Sequence, residues 1–229
     1  MKTGYKLALC APFLLVSAMA QQDYIGHYDV YSGFMYLSSP LIKLGESGFH
    51  TQVGTNPAKW YSLGFDFSTG SGDTSLVPTM LKTSLQEQIG SQLAGAGIPS
   101  SYVLRVPMHS NSQTYAAGPQ LNYRRFRAFT LFIHPDLGAI HEKAVPHPDD
   151  VITRLLVSQL APSGVKIDWV CFYGFGGGAD LNITHHFGLR VTVDFVRDHL
   201  FADLLNARNT VRFSVGPAFH MGRNVAAQK

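Results

Sequence analysis

Seven charged residues lie in segments where apolar residues alternate with small or polar ones. They are Asp66, Arg124, Asp136, Asp180, Arg190, Asp194 and Arg212. Each belongs to the small or polar row of its segment, so its side chain points away from the apolar face of a strand. Buried charges must pair with each other or meet water, because an isolated one is strongly unfavourable. The pattern predicts a polar network in which Arg190 and Arg212 bridge carboxylates on neighbouring strands.

The stretch from Trp169 to Asp198 shows that these charged residues lie on β-strands. It reads as two alternating strands joined by the tight link Thr184-His185-His186. Aromatic and aliphatic residues form one row of each strand, while small and charged residues form the other. Each strand is long enough to cross a bilayer when tilted, which takes about 9–11 residues. The apolar rows are therefore expected to face lipid and the charged rows to face the inside of a barrel.

Six further segments repeat this alternation. They are Tyr28–Leu37, Phe49–Asn56, Tyr61–Ser68, Thr114–Arg124, Phe129–Ile140 and Val211–His220. Pro119 and Pro135 fall in two of the apolar rows, where each removes a backbone donor from the ladder. Short turns are predicted after the second, fourth and sixth strands, and long loops after the first, third, fifth and seventh. Barrels of the outer membrane have this alternation and an even strand number.

These features predict an all-β fold, an eight-stranded antiparallel up-and-down transmembrane β-barrel in the bacterial outer membrane. Its long extracellular loops are expected to contain short helices. In the loop from Thr69 to Ser112, apolar residues recur every four positions between Leu81 and Leu93. The loop from Val145 to Asp168 has an apolar stripe between Val151 and Leu160. Two roles stay open for these helices: they cap the barrel mouth, or they bind an extracellular partner, a host molecule or lipopolysaccharide.

The N-terminus has the composition of a secretory signal. Residues 1–20 contain Lys2 and Lys6, an apolar run from Leu7 to Val16, and the small-residue ending Ala18-Met19-Ala20. The domain prediction is therefore a signal peptide over residues 1–20 and one barrel domain over residues 21–229. Removing the signal takes away two of the 18 lysines and arginines and none of the 15 acids. The near-neutral remainder gives no reason to expect nucleic acid as a partner.

Three motifs resemble the OmpA-like outer-membrane β-barrel family. They are Tyr-x-x-Gly-Pro-x-Leu-x-Tyr at 115–123, Gly-Phe-Gly-Gly-Gly-x-Asp-Leu-Asn at 174–182 and Val-Arg-Phe-Ser-x-Gly-Pro-x-Phe at 211–219. The resemblance covers essentially all of the chain after the signal. It implies the same barrel, with outer-membrane lipid, lipopolysaccharide and the outer-membrane assembly machinery as partners. Such barrels commonly finish on an aromatic residue, whereas here residues 222–229 extend past Phe219.

The predicted function is a structural, surface-interaction or weak porin-like role. An eight-stranded barrel has an interior just wide enough for side chains to fill it, so a plugged interior is favoured over an open pore. The seven charged residues line the interior in either case. No enzyme activity, cofactor or metal site is predicted. Cys171 is the one cysteine after the signal, which leaves no partner for an internal disulfide.

A competing hypothesis is an enzyme of the outer membrane that modifies lipid. His141 and His199 fall near the outer ends of the fifth and seventh strands. The residues that could act with them are Ser110, Ser112, Glu142 and Asp198. No spacing links these residues, and a histidine at a membrane interface has no need of a catalytic role. The enzyme hypothesis is therefore the weaker prediction.

Two kinds of soluble protein share some of these features. A lipocalin-like barrel would turn its apolar rows inward around a ligand. Aromatic residues near the strand ends favour a membrane barrel instead, namely Trp60, Tyr61, Tyr123, Trp169 and Tyr173. The glycine run at 174–179 matches a dinucleotide-binding fingerprint, which requires a helix directly after it. Here the following residues keep a period of two, so the glycines are predicted to give the barrel interior room.

Overall fold

The strands of this protein close into a single antiparallel barrel. The computed structural model describes residues 22–99 and 101–227. The eight strands of these ranges are β1 (Gly26–Ser39), β2 (Leu44–Ala58), β3 (Tyr61–Leu76), β4 (Val106–Tyr123), β5 (Phe129–Pro146), β6 (Lys166–Asn182), β7 (Phe187–Asp198) and β8 (Arg208–Asn224). Each strand pairs with the next one along the chain, and β8 pairs with β1. The predicted fold class is confirmed, while the predicted signal peptide lies outside the described residues.

Most strands extend further toward the loops than the apolar alternation predicts. Strand β3 continues past Ser68 to Leu76, and β5 continues past Ile140 to Pro146. The backbone ladder persists there between polar residues, as in the pair of Ser71 with Asn111. Apolar residues on the outer face are needed only within the bilayer. The hydrophobic period therefore marks the lipid-facing part of each strand and misses the part that projects beyond it.

The predicted long loop after the first strand is wrong. Strands β1 and β2 are joined by residues 40–43, which form a 3-10 turn at Pro40–Ile42 followed by Lys43 with φ of 49°. The amide of Lys43 closes this turn on the carbonyl of Pro40 at 3.2 Å. The residues expected to form the loop, at 44–48, pair with β1 as the start of β2. Their small and polar character resembles a loop but suits a strand outside the bilayer.

The outer surface of the barrel is an apolar belt. Its exposed side chains include Phe34, Phe49, Phe65, Ile133, Phe175, Val191, Phe195 and Phe213. Aromatic pairs flank the belt, with Trp169 stacked on Tyr115 near the loop end and Trp60 beside Tyr61 at the turn end. A lipocalin-like barrel would have the opposite polarity, with apolar side chains inside. This belt and the closed ladder are the architecture of an outer-membrane barrel, in agreement with the predicted location.

Two helices lie in the loops, as predicted. Helix α1 (Thr83–Gly95) belongs to the loop between β3 and β4, and α2 (Val151–Leu160) belongs to the loop between β5 and β6. Asp150 begins α2 with a capping box, in which its side chain accepts from the amide of Thr153 at 2.7 Å. No helix within residues 22–99 and 101–227 is long and apolar enough to cross a membrane.

The loops pack together over the barrel mouth. The apolar cluster that we call the loop cap includes Ile42, Leu44, Met80, Leu81, Ile89, Leu104, Leu200, Phe201 and Leu205. An isolated bridge between Leu81 and Leu205 ties the β3–β4 loop to the β7–β8 loop. Leu85 and Leu93 of α1 and Leu156 of α2 pack against the same cluster. The helices therefore cap the barrel mouth, which is one of the two roles that the sequence leaves open.

The ladder between β4 and β5 is interrupted in the middle. Among the described residues, the pairs stop at Ala116 with Gly138 and resume at Leu121 with Ile133. In this register Pro119 lies opposite Pro135, and neither has a backbone N–H to donate. The two prolines account for an unpaired segment, which we call the β4–β5 seam. The side chains of the interior row reach it from His134 and Asp136, on either side of Pro135.

Candidate functional site in the barrel interior

The charged residues of the interior form three layers along the barrel axis. The turn-side layer consists of Asp29, Arg124, Asp180, Arg190 and His220. The middle layer consists of His50, Asp66, His134, Asp136, Asp194 and Arg212. The loop-side layer consists of Glu46, Glu142, Asp198 and Arg208. All three layers lie inside the barrel, with side chains buried or nearly so. The structure therefore places all seven charged residues of the sequence prediction in the interior.

The turn-side layer is built around Arg190. Asp180 and Arg190 are directly paired on β6 and β7, and the guanidinium binds both carboxylate oxygens, with Nε 2.6 Å from Oδ1 and Nη2 2.7 Å from Oδ2. The guanidinium carbon also lies 4.9 Å from the ring centre of Phe132. A bidentate geometry of this kind fixes the arginine in place and is among the stronger charged contacts. The sequence predicts Arg190 as a bridge to acids on neighbouring strands, and the structure shows that its carboxylate partner is Asp180 on β6.

A second group of this layer faces the turn-end mouth. Asp29 accepts from Nδ1 of His220 at 2.7 Å and lies 3.7 Å from Nη2 of Arg124. A cavity of about 290 Å³ lies against Asp29, Arg124, Asp180 and His220, and residues 22–26 form part of its wall. The cavity therefore lies at the turn end of the barrel, with Asp180 of the Arg190–Asp180 pair in its wall.

The middle layer crosses the lumen from wall to wall. Arg212 on β8 donates from Nε to Asp194 on the adjacent β7 at 2.8 Å, and from Nη1 to Asp66 on β3 at 3.1 Å. Strand β3 is not a neighbour of β8, so the Asp66 contact spans the barrel. His50 joins the same group through the other oxygen of Asp66 and through Ser214, whose Oγ lies 2.7 Å from Nδ1. The sequence predicts Arg212 as a bridge, and the structure shows which acids it bridges.

Residues His134, Asp136 and Asp194 form a distinct corner of the middle layer. His134 Nδ1 lies 3.4 Å from Asp136 Oδ1, and His134 Nε2 lies 3.4 Å from Asp194 Oδ1. Gly176 makes this possible, because it separates His134 and Asp194 in the register of β5, β6 and β7. A Cβ atom at Gly176 would overlap the carboxylate of Asp194 and lie 2.8 Å from the ring of His134. The glycine run thus gives the interior room, as predicted, and here it brings charged residues of β5 and β7 together across β6.

The loop-side layer consists largely of residues that the alternation of the sequence did not identify. Arg208 donates from Nη2 to Glu142 Oε2 at 2.7 Å and from Nε to Asp198 Oδ1 at 3.0 Å. Ser110 donates to the other oxygen of Glu142 at 3.0 Å, and Ser112 donates to Glu46. Glu142 lies an even number of residues from Asp136 on β5, so both side chains point into the barrel. The same holds for Arg208 and Arg212 on β8. Extending the alternation beyond the apolar rows would have found both residues.

The histidines considered for catalysis do not join these acids and serines. His141 lies outside the barrel with its ring 5.4 Å from that of Trp169, and His199 is exposed in the β7–β8 loop. A chain of Ser214, His50 and Asp66 has the residue types of a hydrolytic triad. However, Ser214 is buried and also bonds Thr192, so its hydroxyl faces side chains of the middle layer.

The loops of the cap contain a titratable pair that joins two of them. The hydroxyl of Tyr102 donates to Asp150 Oδ2 at 2.7 Å. This hydrogen bond raises the pKa of Tyr102 to about 12. The amide of Thr153, followed by the hydroxyl of Tyr102, holds the pKa of the Asp150 carboxyl below its ordinary value. The pair ties the β3–β4 loop to the start of α2.

Comparison with known proteins supports the fold. No protein-family model matches the sequence, and a comparison with curated proteins finds no match. The solved structure of Neisserial surface protein A is 10% identical with a TM-score of 0.52, covering 85% of this chain and 96% of that one. The outer membrane protein OprG from Pseudomonas aeruginosa is 10% identical with a TM-score of 0.51, covering 89% of this chain and 100% of that one. The shared feature is the fold, an eight-stranded outer-membrane barrel.

Proposed function

We propose that this protein is a closed outer-membrane barrel of the OmpA-like type that displays a folded loop cap as an interaction surface. The observation that carries the proposal is the cap itself. Four loops converge on one apolar cluster instead of projecting separately from the barrel. A barrel whose only task was to anchor the envelope would have no need of an ordered apolar structure above the bilayer. The implied surroundings are outer-membrane lipid and lipopolysaccharide around the belt, with the assembly machinery acting during insertion.

The cap leaves an apolar groove between α1 and α2. Its volume is about 350 Å³, and its walls include Ile89, Leu93, Ile98, Ile152 and Leu155. Leu155 is 62% exposed although it is a large apolar side chain, whereas Ile89 at the base of the groove is 3% exposed. Concave, mostly apolar sites of this size bind small molecules or apolar segments of a partner. The groove supports a surface-interaction role with an apolar ligand.

The interior supports a closed barrel over a porin-like one. Arg190, Arg208 and Arg212 each bind carboxylates across or along the wall at successive depths. A conducting path would have to separate these pairs, and breaking a buried ion pair costs about 3–5 kcal/mol. We assign no reaction to this protein, since Ser214 and His50 hydrogen-bond to Thr192 and Asp66, two other side chains of the interior.

Binding of an apolar fluorescent probe, N-phenyl-1-naphthylamine, tests the groove. The folded barrel in lipid nanodiscs is expected to bind the probe saturably above the signal of empty nanodiscs. Leu155→Asp and Ile98→Asp should remove this component. The matched control is Val103→Asp, because Val103 is 78% exposed and does not line the groove. Equal probe binding by wild type, the groove variants and the control would exclude the groove as a ligand site.

A further inference from the structure

The corner formed by His134, Asp136 and Asp194 has the composition of a metal site. One ligand atom of each residue lies within 4.8 Å of the others, and all three side chains are at least nine-tenths buried. An imidazole nitrogen and two carboxylate oxygens are ligands of Zn²⁺ and of related divalent transition metals. The separation of 3.4 Å between Nε2 of His134 and Oδ1 of Asp194 matches the spacing of two ligands around one metal ion. Neighbouring ligands of a tetrahedral ion with bonds of about 2.0–2.1 Å are about 3.4 Å apart.

The carboxylates of this corner have oxygen atoms without partners. Among the residues that the structure describes, none hydrogen-bonds to Asp136 Oδ2 or Asp194 Oδ1, although both atoms are buried. The histidine contacts at 3.4 Å are longer than an ordinary N–H···O hydrogen bond of about 2.7–3.2 Å. Of these two oxygens, Asp194 Oδ1 faces His134 Nε2, while Asp136 Oδ2 belongs to the carboxylate whose Oδ1 faces His134 Nδ1. Buried carboxylate oxygens are normally satisfied, so both carboxylates have lone pairs that a cation could use.

The charge balance points the same way. Within the described part of the middle layer, three carboxylates (Asp66, Asp136 and Asp194) face one guanidinium, that of Arg212. Two neutral histidines would leave this layer with an excess of two negative charges. One divalent cation would offset that excess, as would protonation of both histidines, and metal binding distinguishes the two. Asp194 is also suited to hold a metal, since its Oδ2 binds Arg212 at 2.8 Å and leaves Oδ1 free to coordinate.

A small cavity and the β4–β5 seam lie beside the two ligands on β5. A cavity of about 30 Å³ touches His134 and Asp136, the two ligands on β5, which is room for an ion or a water molecule beside them; Asp194 lies on the other side of the His134 ring and does not line it. The β4–β5 seam runs beside it, because Pro135 stands between His134 and Asp136 and faces Pro119 across the unpaired segment. The wall of the barrel is thus weakest next to the two ligands contributed by β5.

We propose that His134, Asp136 and Asp194 bind one divalent transition metal ion, of the Zn²⁺ class, inside the barrel. The ion binds the lone pair of one nitrogen of the neutral imidazole, and we assign Nε2 because it faces Asp194 Oδ1. It connects β5 to β7 across Gly176 on β6. Three protein ligands leave a coordination position for water. The inference goes beyond the proposed surface role, because the site is in the membrane-spanning wall and is independent of the groove in the cap.

Metal binding by the refolded, untagged barrel tests the proposal. After treatment with a chelator, the folded protein is dialysed against Zn²⁺ and its bound metal is counted by mass spectrometry. Co²⁺ provides a second readout, because a tetrahedral site gives visible absorption. One equivalent of Zn²⁺ and a Co²⁺ spectrum are expected. His134→Gln and Asp136→Asn should each weaken binding at least tenfold, while heat-modifiable gel mobility shows that both variants are folded.

The matched control is His109→Gln. His109 Nδ1 lies 2.7 Å from Asp73 Oδ1 in an exposed histidine–aspartate pair near the loop end, so it is a candidate for adventitious binding. Metal content and affinity should be unchanged in this variant. Three results would overturn the site: no bound metal in the folded wild type, unchanged affinity in His134→Gln, or loss of the metal in His109→Gln alone.

Discussion

Arg212 Nη1 lies 3.1 Å from Asp66 Oδ1, although β8 and β3 are not adjacent in the sheet. The contact crosses the lumen, and the same arginine binds Asp194 on the adjacent wall at 2.8 Å. One side chain therefore joins two sides of the barrel and fills the space between them. An eight-stranded barrel is narrow enough for such a contact, which a wider barrel would replace with water.

Arg212→Ala should destabilise the folded barrel by about 3–5 kcal/mol, the usual loss when one partner of a buried ion pair is removed. The change leaves Asp66 and Asp194 without their guanidinium in a buried environment. Urea unfolding in lipid vesicles measures the effect. The control is Arg197→Ala, because Arg197 is exposed on β7 and surface changes stay within about 0.5 kcal/mol. Equal unfolding curves for the two variants would contradict the role of Arg212.

Gly176→Ala should also destabilise the barrel, by about 1–3 kcal/mol as in other overpacked interiors. The added methyl group would overlap the carboxylate of Asp194 and crowd the ring of His134. Gly90→Ala is the comparison, since no atom lies within 4 Å of a Cβ at that position of α1. Alanine there should be neutral or stabilising, by up to about 1 kcal/mol, because it favours the helix. The same unfolding assay measures both variants. An unchanged free energy of unfolding in Gly176→Ala would show that the interior beside β6 accommodates a methyl group.

The link between Tyr102 and Asp150 should make the cap sensitive to acid. The pKa of Asp150 is lowered in the folded protein, so the link is complete above the unfolded value of about 3.9 and is lost as the pH falls below it. In alkali it is lost as the pH rises toward the Tyr102 pKa of about 12. An NMR titration of the Asp150 carboxyl carbon tests this.

Tyr102→Phe is the matched variant for that titration. It removes one hydrogen bond to Asp150 and leaves the one from the amide of Thr153. The pH midpoint of the Asp150 titration should rise toward the ordinary value for aspartate and remain somewhat below it. A midpoint that does not differ between wild type and variant would mean that Tyr102 does not bind Asp150 in solution.

The sequence predicted the fold well because an outer-membrane barrel repeats one simple pattern. Apolar residues must face lipid at every second position, so Phe175 and Phe195 identify their strands without any tertiary information. The opposite row must then face inward, which places Asp180 and Arg190 inside. Both residues were assigned to the interior, and their mutual pairing follows from the register of the β6–β7 hairpin.

The pairings between distant strands could not be predicted in the same way. Asp66 and Arg212 are 146 residues apart, and their contact depends on the closure and diameter of the barrel. Glu142 and Arg208 were missed as interior residues, since they lie where the outer row is no longer apolar. The approach of His134 to Asp194 depends on Gly176, which the sequence marks only as one of several glycines.

The closed interior is the central claim, and planar-bilayer recording tests it most directly. The folded wild-type barrel, verified by its heat-modifiable gel mobility, is inserted into a lipid bilayer under an applied voltage. Because Arg190, Arg208 and Arg212 hold carboxylates at three depths of the lumen, we predict no single-channel steps. Reproducible steps of constant size from the folded wild-type protein would contradict the closed barrel and favour a porin-like function.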